Sequence, residues 1–514
     1  MKRSQQREPS AWDVSNSHSA PGASAAAGTT PRPWGRTSYA GVRKTPFDVV
    51  VIGAGVLGTA IAADLAQRQA SVCVIEAGGD VADGASKGNA GITSSYYSPS
   101  GTLDCELLNE SNQGWEELCE RLRVPYTRIG ALTVALDDEG LTGLDTLEVQ
   151  VREAGVLVDR LTGDQARELE PLLTPECVGA LHYPDEGIID PLRLTTAYAE
   201  LAGLNGAAFL FDTPVLGFDT EPGGRITSVR TSHGSIGGRF FVNAAGLGSG
   251  EVSALAGGEP LRMWPRRGQY LILDRDFGQH VSKIVLPMPT ATSRGIEIAP
   301  TTNGSVLLGP DAVEGGSPND TETDPEGLLN VFRLTQRLMP QVSLDRAIKS
   351  YAGNRPAAEE PIRVRGDRLV ANLIHAGNRS TGVSTSPAIA RRISAILGDL
   401  GVNISWRADR VQRLDTPPRL REQADPAQRT DRVVTEEMVV CLCEQVTAAE
   451  IDTALRSSVP AVSLEGVRKR TRATGGRCQG SLCMAGVIFM CGNATGVEPG
   501  AVRMGSSGGV VGGA

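Results

Sequence analysis

Several features that would place a chain in another class are missing from this sequence. No apolar run approaches the roughly 18 residues that indicate a membrane-spanning helix, and the stretch from Asp48 to Leu57 is only strand-sized. Basic residues are outnumbered, with 50 Lys and Arg against 59 Asp and Glu, so the formal net charge is −9. This balance argues against a general nucleic-acid-binding protein, whose surface is normally basic. Histidine is also scarce, with five residues, so few imidazoles are available for proton transfer.

Cysteine is sparse except near the end of the chain. Five of the nine cysteines lie after residue 440, and the other four are scattered. A secreted disulfide framework would spread its cysteines through a short chain, which is not the case here. The distribution therefore predicts a cytoplasmic protein with one local metal site.

Composition divides the chain into five segments. Residues 1–45 are rich in Ser, Ala, Gly, Pro and Arg without periodicity and predict a disordered tail; a transit segment or a wrongly chosen start codon is the alternative. Residues 46–405 alternate predicted strands and helices and form the main body. The charged residues 406–436 predict a linker, 437–495 a compact unit, and the glycine-rich 496–514 a flexible tail.

The order of the elements predicts an α/β protein that is α+β overall. A buried-strand pattern at Asp48–Ile52 is followed by a helix over Thr59–Arg68 and a second strand over Ser71–Ile75, which is a βαβ unit. A longer helix is expected over Leu103–Arg123. Further along, short strands that include Tyr270–Leu273 indicate a separate, antiparallel substrate-side sheet.

The first βαβ unit carries a dinucleotide fingerprint. Gly53, Gly55 and Gly58 follow the first strand and open the helix, and Glu76 ends the second strand. The first glycine permits a tight turn, the second allows a pyrophosphate to approach the backbone, and the third lets helix and strand pack closely. Glu76 is expected to accept hydrogen bonds from the ribose hydroxyls of the adenosine. The combination of glycines, helix and acid predicts a Rossmann-like cofactor site.

The remaining small-residue segments favour FAD over NAD. The loop Gly84–Gly91 follows the acid closely and suits a wrap around a second phosphate and the flavin, with Ser86, Asn89, Ala90 and Gly91 as its candidate contacts. The strand over Phe240–Asn243 runs into Ala244, Ala245 and Gly246, which predicts backbone passing close to the cofactor. No second GxGxxG with strand and helix context occurs, so electrons are expected from an organic substrate.

At this point the sequence resembles the D-amino-acid oxidase-type FAD-dependent oxidoreductases, and within them the glycerol-3-phosphate dehydrogenase-like branch. The matching stretches occur in the family's order: Val49–Glu76, Tyr183–Pro191, Pro265–Tyr270, Ile298–Thr301, Leu307–Pro310, Ala352–Pro356 and Gly377–Ala390. The resemblance implies a discontinuous FAD domain, assembled from separated segments, with a substrate domain inserted between them. One position departs from the pattern, because relatives often carry histidine in the flavin loop where this chain has Ser94.

Two residues are the candidates for catalysis. Arg355 lies in a Gly-Asn-Arg-Pro segment that matches the family and could pair with a substrate carboxylate or phosphate; a structural ion pair is the alternative. His375 ends a predicted strand next to Gly377, and a structural role is its alternative. The turn that follows is expected to offer backbone N–H groups to the reduced flavin, and its candidate cofactor residues are Gly377, Ser380, Thr381 and Gly382.

The last cysteines form a C-x-C…C-x4-C pattern. Cys441, Cys443, Cys478 and Cys483 provide four thiolates, enough for a 2Fe-2S cluster, with zinc as the alternative metal. The segments around them resemble a bacterioferritin-associated-ferredoxin-like domain, which implies 2Fe-2S. The basic run over Arg468–Arg477 is expected to offset the negative charge of the cluster.

Together these patterns predict an FAD-dependent dehydrogenase. Its substrate would be a small anionic metabolite, either glycerol-3-phosphate-like or a 2-hydroxy acid, and its electrons would leave through the cluster to an acceptor protein or a quinone-linked subunit. The alternatives are an amino- or imino-acid dehydrogenase and an accessory FAD/2Fe-2S protein that transfers electrons within a larger complex. No nucleic-acid partner is expected, and membrane association would run through a partner protein.

Overall fold

The computed structural model describes residues 46–290, 293–377, 379–417, 419–422, 438–505 and 509–511. The predicted tail, 1–45, lies outside these residues. The described strands are, in chain order, β1 (Phe47–Ile52), β2 (Val72–Ile75), β3 (Ile92–Thr93), β4 (Tyr126–Arg128), β5 (Ala131–Ala135), β6 (Asp159–Thr162), β7 (Gly179–Tyr183), β8 (Gly187–Ile189), β9 (Ala208–Leu210), β10 (Val215–Thr220), β11 (Ile226–Thr231), β12 (Gly234–Asn243), β13 (Met263–Leu273), β14 (Ile284–Leu286), β15 (Glu297–Pro300), β16 (Val306–Gly309), β17 (Val313–Glu314), β18 (Ala347–Ala358), β19 (Val364–Gly366), β20 (Leu373–Ala376), β21 (Val439–Cys441) and β22 (Val446–Thr447).

The described helices lie mainly between the strands. They are α1 (Val56–Ala66), α2 (Leu103–Asn112), α3 (Trp115–Leu122), α4 (Asp138–Glu153), α5 (Gly163–Leu169), α6 (Pro191–Leu204), α7 (Ser249–Leu255), α8 (Arg275–Gly278), α9 (Pro325–Leu338), α10 (Gly382–Asp399), α11 (Ala448–Arg456), α12 (Leu464–Thr471) and α13 (Met484–Thr495). Within the described residues, no helix combines the length and apolar character needed to cross a membrane.

A parallel sheet forms the core of the first domain. Its central order is β9-β2-β1-β12-β20, with every one of these pairings parallel. Both faces of β1 are covered: Val49 and Val51 pack in the core cluster that includes α1, α6 and α10, while Val50 and Ile52 pack in the cluster on the opposite face. A strand buried on both faces has a continuous apolar run, which is the pattern of β1. The predicted Rossmann-like domain is confirmed, and its strands come from separated parts of the chain.

The inserted domain is built on a second sheet. Its order is β17-β13-β16-β15-β14-β5-β7-β6, with β18 paired to β13, and its pairings are antiparallel except that between β14 and β5. The long partner strands β13 and β18 run side by side from Met263 to Leu273 and bring Arg355 opposite Arg266. The predicted antiparallel substrate-side sheet is therefore present.

Three local expectations differ from the structure. The predicted helix over Leu103–Arg123 is two helices, because the chain turns at Gln113 and Gly114 before α3 begins. The described part of the predicted linker is packed: Leu414 is 1% exposed, and the guanidinium of Arg68 lies 3.9 Å from the ring centroid of Trp406. The predicted flexible tail is likewise packed at Val502, which is 2% exposed. In both segments a few apolar side chains reach the neighbouring core, which composition does not show.

The C-terminal unit has a small core of its own. Residues of β21, α11, α12 and α13 share one cluster of buried side chains, which also contains or contacts three of the four predicted metal ligands. Helix α11 begins with a capping box, since the Thr447 hydroxyl accepts from Glu450 N and the Glu450 carboxylate accepts from Thr447 N. This reciprocal pairing satisfies two of the N–H groups that a helix start leaves free.

Candidate active site and metal centre

The predicted phosphate-binding glycines lie where β1 meets α1. Gly53 has φ +104°, and a Cβ at this position would lie 2.6 Å from the carbonyl oxygen of Ala244, so no other residue fits without rearrangement. A Cβ on Gly58 would lie 1.9 Å from the carbonyl oxygen of Gly53. Gly55 is the N-cap of α1 and has no side chain that could hydrogen-bond to the first turn. The arrangement leaves a space against helix N–H groups that suits a phosphate.

The acid at the end of β2 is held by the backbone. One oxygen of Glu76 accepts from Ala54 N at 2.7 Å, and the other accepts from Gly78 N at 2.7 Å. Burial raises the pKa of Glu76, against the effect of these two N–H groups. Ser86 is tied to the same region, because its hydroxyl accepts from Val56 N at 3.0 Å. The predicted ribose and phosphate contacts thus share one edge of the sheet.

The other predicted cofactor residues follow the carboxyl ends of the next two strands. Ala245 and Gly246 come after β12, which pairs with β1. Gly377 comes after β20 with φ +107°, and Gly382 opens α10. In an open parallel sheet, ligands bind beyond the carboxyl ends of the strands. The separated sequence candidates therefore meet at the edge where a dinucleotide is expected.

A small cavity joins part of this edge to the inserted domain. Its volume is about 90 Å³, and its lining includes Arg355 together with four predicted cofactor residues, which are Asn89, Ala90, Ser380 and Thr381. Gly91 is the last residue of the loop that contains Asn89 and Ala90. A Cβ on Gly91 would lie 2.4 Å from the carbonyl oxygen of Ile189. The loop, the turn before α10 and strand β18 thus form one candidate active site.

Arg355 presents its guanidinium to this cavity without an acid partner. Its Nη2 donates to the carbonyl oxygen of Asp311 at 2.7 Å, and its Nε donates to that of Arg266 at 3.4 Å. Among the described residues, no carboxylate forms a salt bridge with Arg355, so the alternative of a structural ion pair is not what the structure contains. Carbonyl contacts orient a guanidinium but leave its charge available to an anion.

The sequence reasoning missed two charged residues of the same cavity. Arg294 donates from Nη2 to both oxygens of the buried Glu186, at 2.9 and 3.1 Å, and from Nη1 to the Ser94 hydroxyl at 2.7 Å. Glu297 begins β15, where an acid stands in an otherwise apolar strand. Burial raises the pKa of Glu297 to about 7, although Arg294 opposes the shift. The sequence signal that could have identified Glu297 was an acidic residue within an otherwise apolar strand.

The structure does not bring His375 together with Arg355. The His375 ring is 2% exposed, its Nε2 lies 2.8 Å from Asp367 Oδ2, and it is not part of the cavity lining. Asp367 also accepts a hydrogen bond from the backbone N–H of Glu259. Asp367 therefore connects its own segment to those of Glu259 and His375. Burial lowers the pKa of His375. The predicted catalytic role gains no support from this position.

The four predicted metal ligands converge in the C-terminal unit. The Cys443 thiol interacts with those of Cys478 and Cys441, and the Cys483 thiol interacts with those of Cys441 and Cys478, so the four sulfurs share one site. A backbone N–H at Leu482 lowers the pKa of Cys478, which favours a thiolate.

Four thiolates gathered in this way suit a 2Fe-2S cluster and also a single zinc ion.

The basic run of this unit also contacts acids outside the unit. Arg470 forms a two-pronged contact with Asp80 at 2.8 and 2.9 Å, and both side chains are about 5% exposed or less. The other contacts to acids of the first domain and the inserted domain are Lys469 to Asp83, Arg472 to Asp190 and Arg477 to Asp274. These cations therefore anchor the unit to the rest of the protein, because acids of the main body face them.

A larger cavity lies between the two candidate centres. Its volume is about 880 Å³, and it is lined by Asn89 and Ala90 on one side and by Cys443 on the other. Lys349 also lines it, and burial, together with Arg468 and Arg472, lowers the pKa of Lys349 to about 8. The flavin loop and one metal ligand thus border the same space.

Comparisons with known proteins agree with this geometry. The family model for FAD dependent oxidoreductases matches residues 48–396, and the model for BFD-like [2Fe-2S] binding domains matches residues 439–487. A glycerol 3-phosphate dehydrogenase of Caloramator mitchellensis is 30% identical over 88% of this chain and 95% of its own length. One subunit of the anaerobic glycerol-3-phosphate dehydrogenase of Escherichia coli K12 is 28% identical over 85% of this chain and 86% of its own length.

Solved structures support the fold. The L-alpha-glycerophosphate oxidase of Mycoplasma pneumoniae, in a dithionite-reduced form with FAD bound, matches with a TM-score of 0.68 at 23% identity, over 73% of this chain and 99% of that one. The glycine edge suits FAD, and the four convergent thiols suit a two-iron cluster. By its sequence and its fold, the chain belongs to the FAD-dependent oxidoreductases and carries a C-terminal BFD-like [2Fe-2S]-binding domain.

Proposed function

We propose that this protein oxidises a small anionic alcohol of the glycerol 3-phosphate type, and that its electrons pass from FAD through the 2Fe-2S cluster to another redox protein or a quinone-linked subunit. The observation that carries the proposal is the cavity in which Arg355 faces the flavin loop. Two relatives that match 88% and 85% of this chain are glycerol 3-phosphate dehydrogenases by name.

The charges of the cavity fit an anion. Arg294 and Arg355 both line it, and Arg355 lacks an acid partner among the described residues. A guanidinium can hold a phosphate or carboxylate through two parallel hydrogen bonds, which fixes the substrate as well as binding it. Fixing the reacting carbon next to the flavin lowers the entropic part of the barrier.

The flavin, when bound, supplies the hydride acceptor. The residues proposed to hold it are those gathered at the edge of the parallel sheet: Gly53, Gly55, Gly58, Glu76, Ser86, Asn89, Ala90, Gly91, Ala245, Gly246, Gly377, Ser380, Thr381 and Gly382. Their backbone N–H groups at the starts of α1 and α10 favour the negative charge of phosphate and reduced flavin, respectively.

The proposed electron exit rests on the domain arrangement. The 880 Å³ cavity borders Asn89 and Ala90 of the flavin loop and also Cys443 of the metal centre. Buried ion pairs hold the cluster domain against the first domain, which keeps the two centres at a fixed separation. The relative from Escherichia coli is by name one subunit of an enzyme, which supports the proposal that this chain passes electrons to a partner.

An amino-acid substrate is the second candidate, and one residue favours it. A Glu297 carboxylate beside Arg355 could pair with the ammonium group of an amino acid whose carboxylate binds the arginine. Ser94 also stands where related flavin loops often carry histidine, so the proton chemistry need not follow the alcohol-oxidising relatives.

Anaerobic reduction of the bound flavin by a substrate panel tests the proposal. Glycerol 3-phosphate, 2-hydroxy acids and amino acids are mixed with the flavin-loaded protein, and flavin bleaching is followed. Glycerol 3-phosphate is expected to bleach the flavin, and Arg355→Ala is expected to lose about 2–5 kcal/mol of transition-state binding, seen in kcat/KM. Arg266→Ala is the matched control, since Arg266 offers only its backbone carbonyl to Arg355. Bleaching by amino acids alone would replace the proposal with the second candidate.

A further inference from the structure

Glu297 is the acid of the candidate active site. It begins β15, pairs with Gly309 of β16 across the sheet, and is 8% exposed. Among the described residues, no group hydrogen-bonds to its carboxyl. A carboxyl buried without a partner is unfavourable for folding alone, so the position needs another explanation.

Charged and titratable groups face Glu297 from several elements. Arg294 precedes it in the same segment, Arg355 faces it from β18, and Glu186 lies behind Arg294. Tyr270 of β13 and Tyr97 of the loop after β3 complete the polar lining. Glu186 and Ser94 already occupy much of the Arg294 guanidinium, so the attraction that would keep Glu297 ionised is reduced. The carboxyl can therefore gain and lose a proton near neutral pH.

The other groups of the cavity are less suited to accept a proton. Burial raises the pKa of Tyr270 to about 12, so its hydroxyl stays protonated. The Ser94 hydroxyl accepts a hydrogen bond from Arg294, and His375 does not line the cavity. An ideal general base has a pKa near the working pH.

We propose that Glu297 is the catalytic base of the oxidation, a deepening that rests on the proposed function. A carboxylate oxygen of Glu297 takes the proton of the substrate hydroxyl while Arg355 holds the anionic group. With FAD bound, the carbon–hydrogen bond would break with its electron pair passing to the flavin as hydride, while the carbon–oxygen double bond forms. The proton on Glu297 then leaves to water, which restores the carboxylate.

The pH dependence of the full-length, flavin-loaded enzyme tests this role with glycerol 3-phosphate. In the wild type, kcat/KM is expected to rise as pH passes about 7, because the carboxylate is the active form. Glu297→Gln is expected to lower the high-pH value by about 10²–10⁴-fold and to remove this rise. Glu297→Asp keeps a carboxylate, so it should retain the rise at a lower rate. Glu170→Gln is the matched control, because Glu170 is a second acid of the inserted domain whose pKa burial raises, and it lies outside the cavity.

A second measurement does not depend on turnover. Between the ordinary glutamate pKa and about 7, Glu297 is protonated in the folded protein and ionised in the unfolded chain. The unfolded state then binds fewer protons, so stability falls as pH rises through this window. The stability of the Glu297→Gln variant should not fall in this way. The Tm of the variant minus that of the wild type should therefore increase between about pH 5 and pH 8.

The outcomes separate this inference from the proposed function. If glycerol 3-phosphate reduces the wild type and Glu297→Gln keeps both its rate and its pH dependence, the base role is wrong and the proposed function stands. If Glu297→Gln does not bind flavin, the Glu297→Asp variant tests the base role instead. Loss of the rise of kcat/KM with pH in that variant would overturn the role. If no alcohol reduces the wild-type flavin, the proposed function and this inference fall together.

Discussion

The two cofactor regions are built in opposite ways. The flavin edge is made of backbone: glycines at strand ends, N–H groups at helix starts, and a core covering both faces of the parallel sheet. The candidate metal centre consists of four cysteine side chains in a short unit with a small core, which buried ion pairs anchor to the main body. A backbone site forms when the domain folds, whereas a thiolate site gains much of its stability from the metal. The first region should therefore tolerate loss of its cofactor better than the second.

The ion pair between Arg470 and Asp80 provides the test with the largest expected effect on the difference between the two regions. Arg470→Ala leaves a buried carboxylate unpaired, which costs about 3–5 kcal/mol, and urea unfolding should show the loss first in the cluster domain. The double variant Asp80→Asn with Arg470→Met removes both charges and should recover much of the stability. Equal destabilisation by the double variant would contradict an electrostatic origin.

The same pair predicts a pH dependence. Burial alone would raise the pKa of Asp80, but attraction by Arg470 outweighs it and the pKa is lowered. A lowered folded-state pKa means that the pair's contribution is present above the ordinary aspartate pKa and is lost as pH falls through the folded-state value. The wild type should lose stability on acidification more steeply than the double variant.

Gly58→Ala tests the flavin region. Its Cβ would lie 1.9 Å from the carbonyl oxygen of Gly53, so helix and strand must move apart, and overpacking of this kind costs about 1–3 kcal/mol. FAD affinity should fall while the iron and sulfide content stays unchanged. Gly84→Ala is the control, because nothing lies within 4 Å of a Cβ there. Loss of iron in Gly58→Ala would show that the two regions are not independent.

Cys478→Ser tests the metal region. Altering even the partners of metal ligands costs about 10–100-fold in affinity or activity, so turnover with a one-electron acceptor protein should fall at least that far. Substrate should still bleach the flavin in a single turnover. Cys491→Ser is the matched control, since Cys491 lies outside the ligand pattern. Normal turnover by a cluster-free Cys478→Ser variant would make the cluster purely structural.

The smallest expected effect concerns the capping box of α11. Thr447→Ala removes the acceptor of Glu450 N and should cost about 0.5–2 kcal/mol. Because the cluster domain has a small core, the loss should appear as easier release of iron to a chelator, with flavin content unchanged. Thr453→Ala on the same helix is the control, because its hydroxyl contacts only the carbonyl oxygen of Ala449. Equal iron release from both variants would count against a role for the cap.

Sequence patterns predicted local turns, helices and strands better than they predicted contacts between distant residues. Gly53, Gly58 and Glu76 could be placed because the tight turn and the following helix are local in sequence. The two-helix break at Gln113 was missed, since Gly114 inside a helical pattern is often tolerated. The burial of Leu414 and Val502 was also missed, because a single apolar residue in a charged or glycine-rich stretch carries no periodic signal.

The sequence by itself determined the cofactor class, the order of the domains and the four candidate cysteine ligands, because each rests on spacing along the chain. Only the tertiary structure decided which charges meet. It brought Arg294 and Glu297 beside Arg355, kept His375 with Asp367, and paired the basic run of the cluster domain with acids of the main body. These contacts join residues as far apart as Asp80 and Arg470, and both their burial and their partners are set by how the sheets and domains pack.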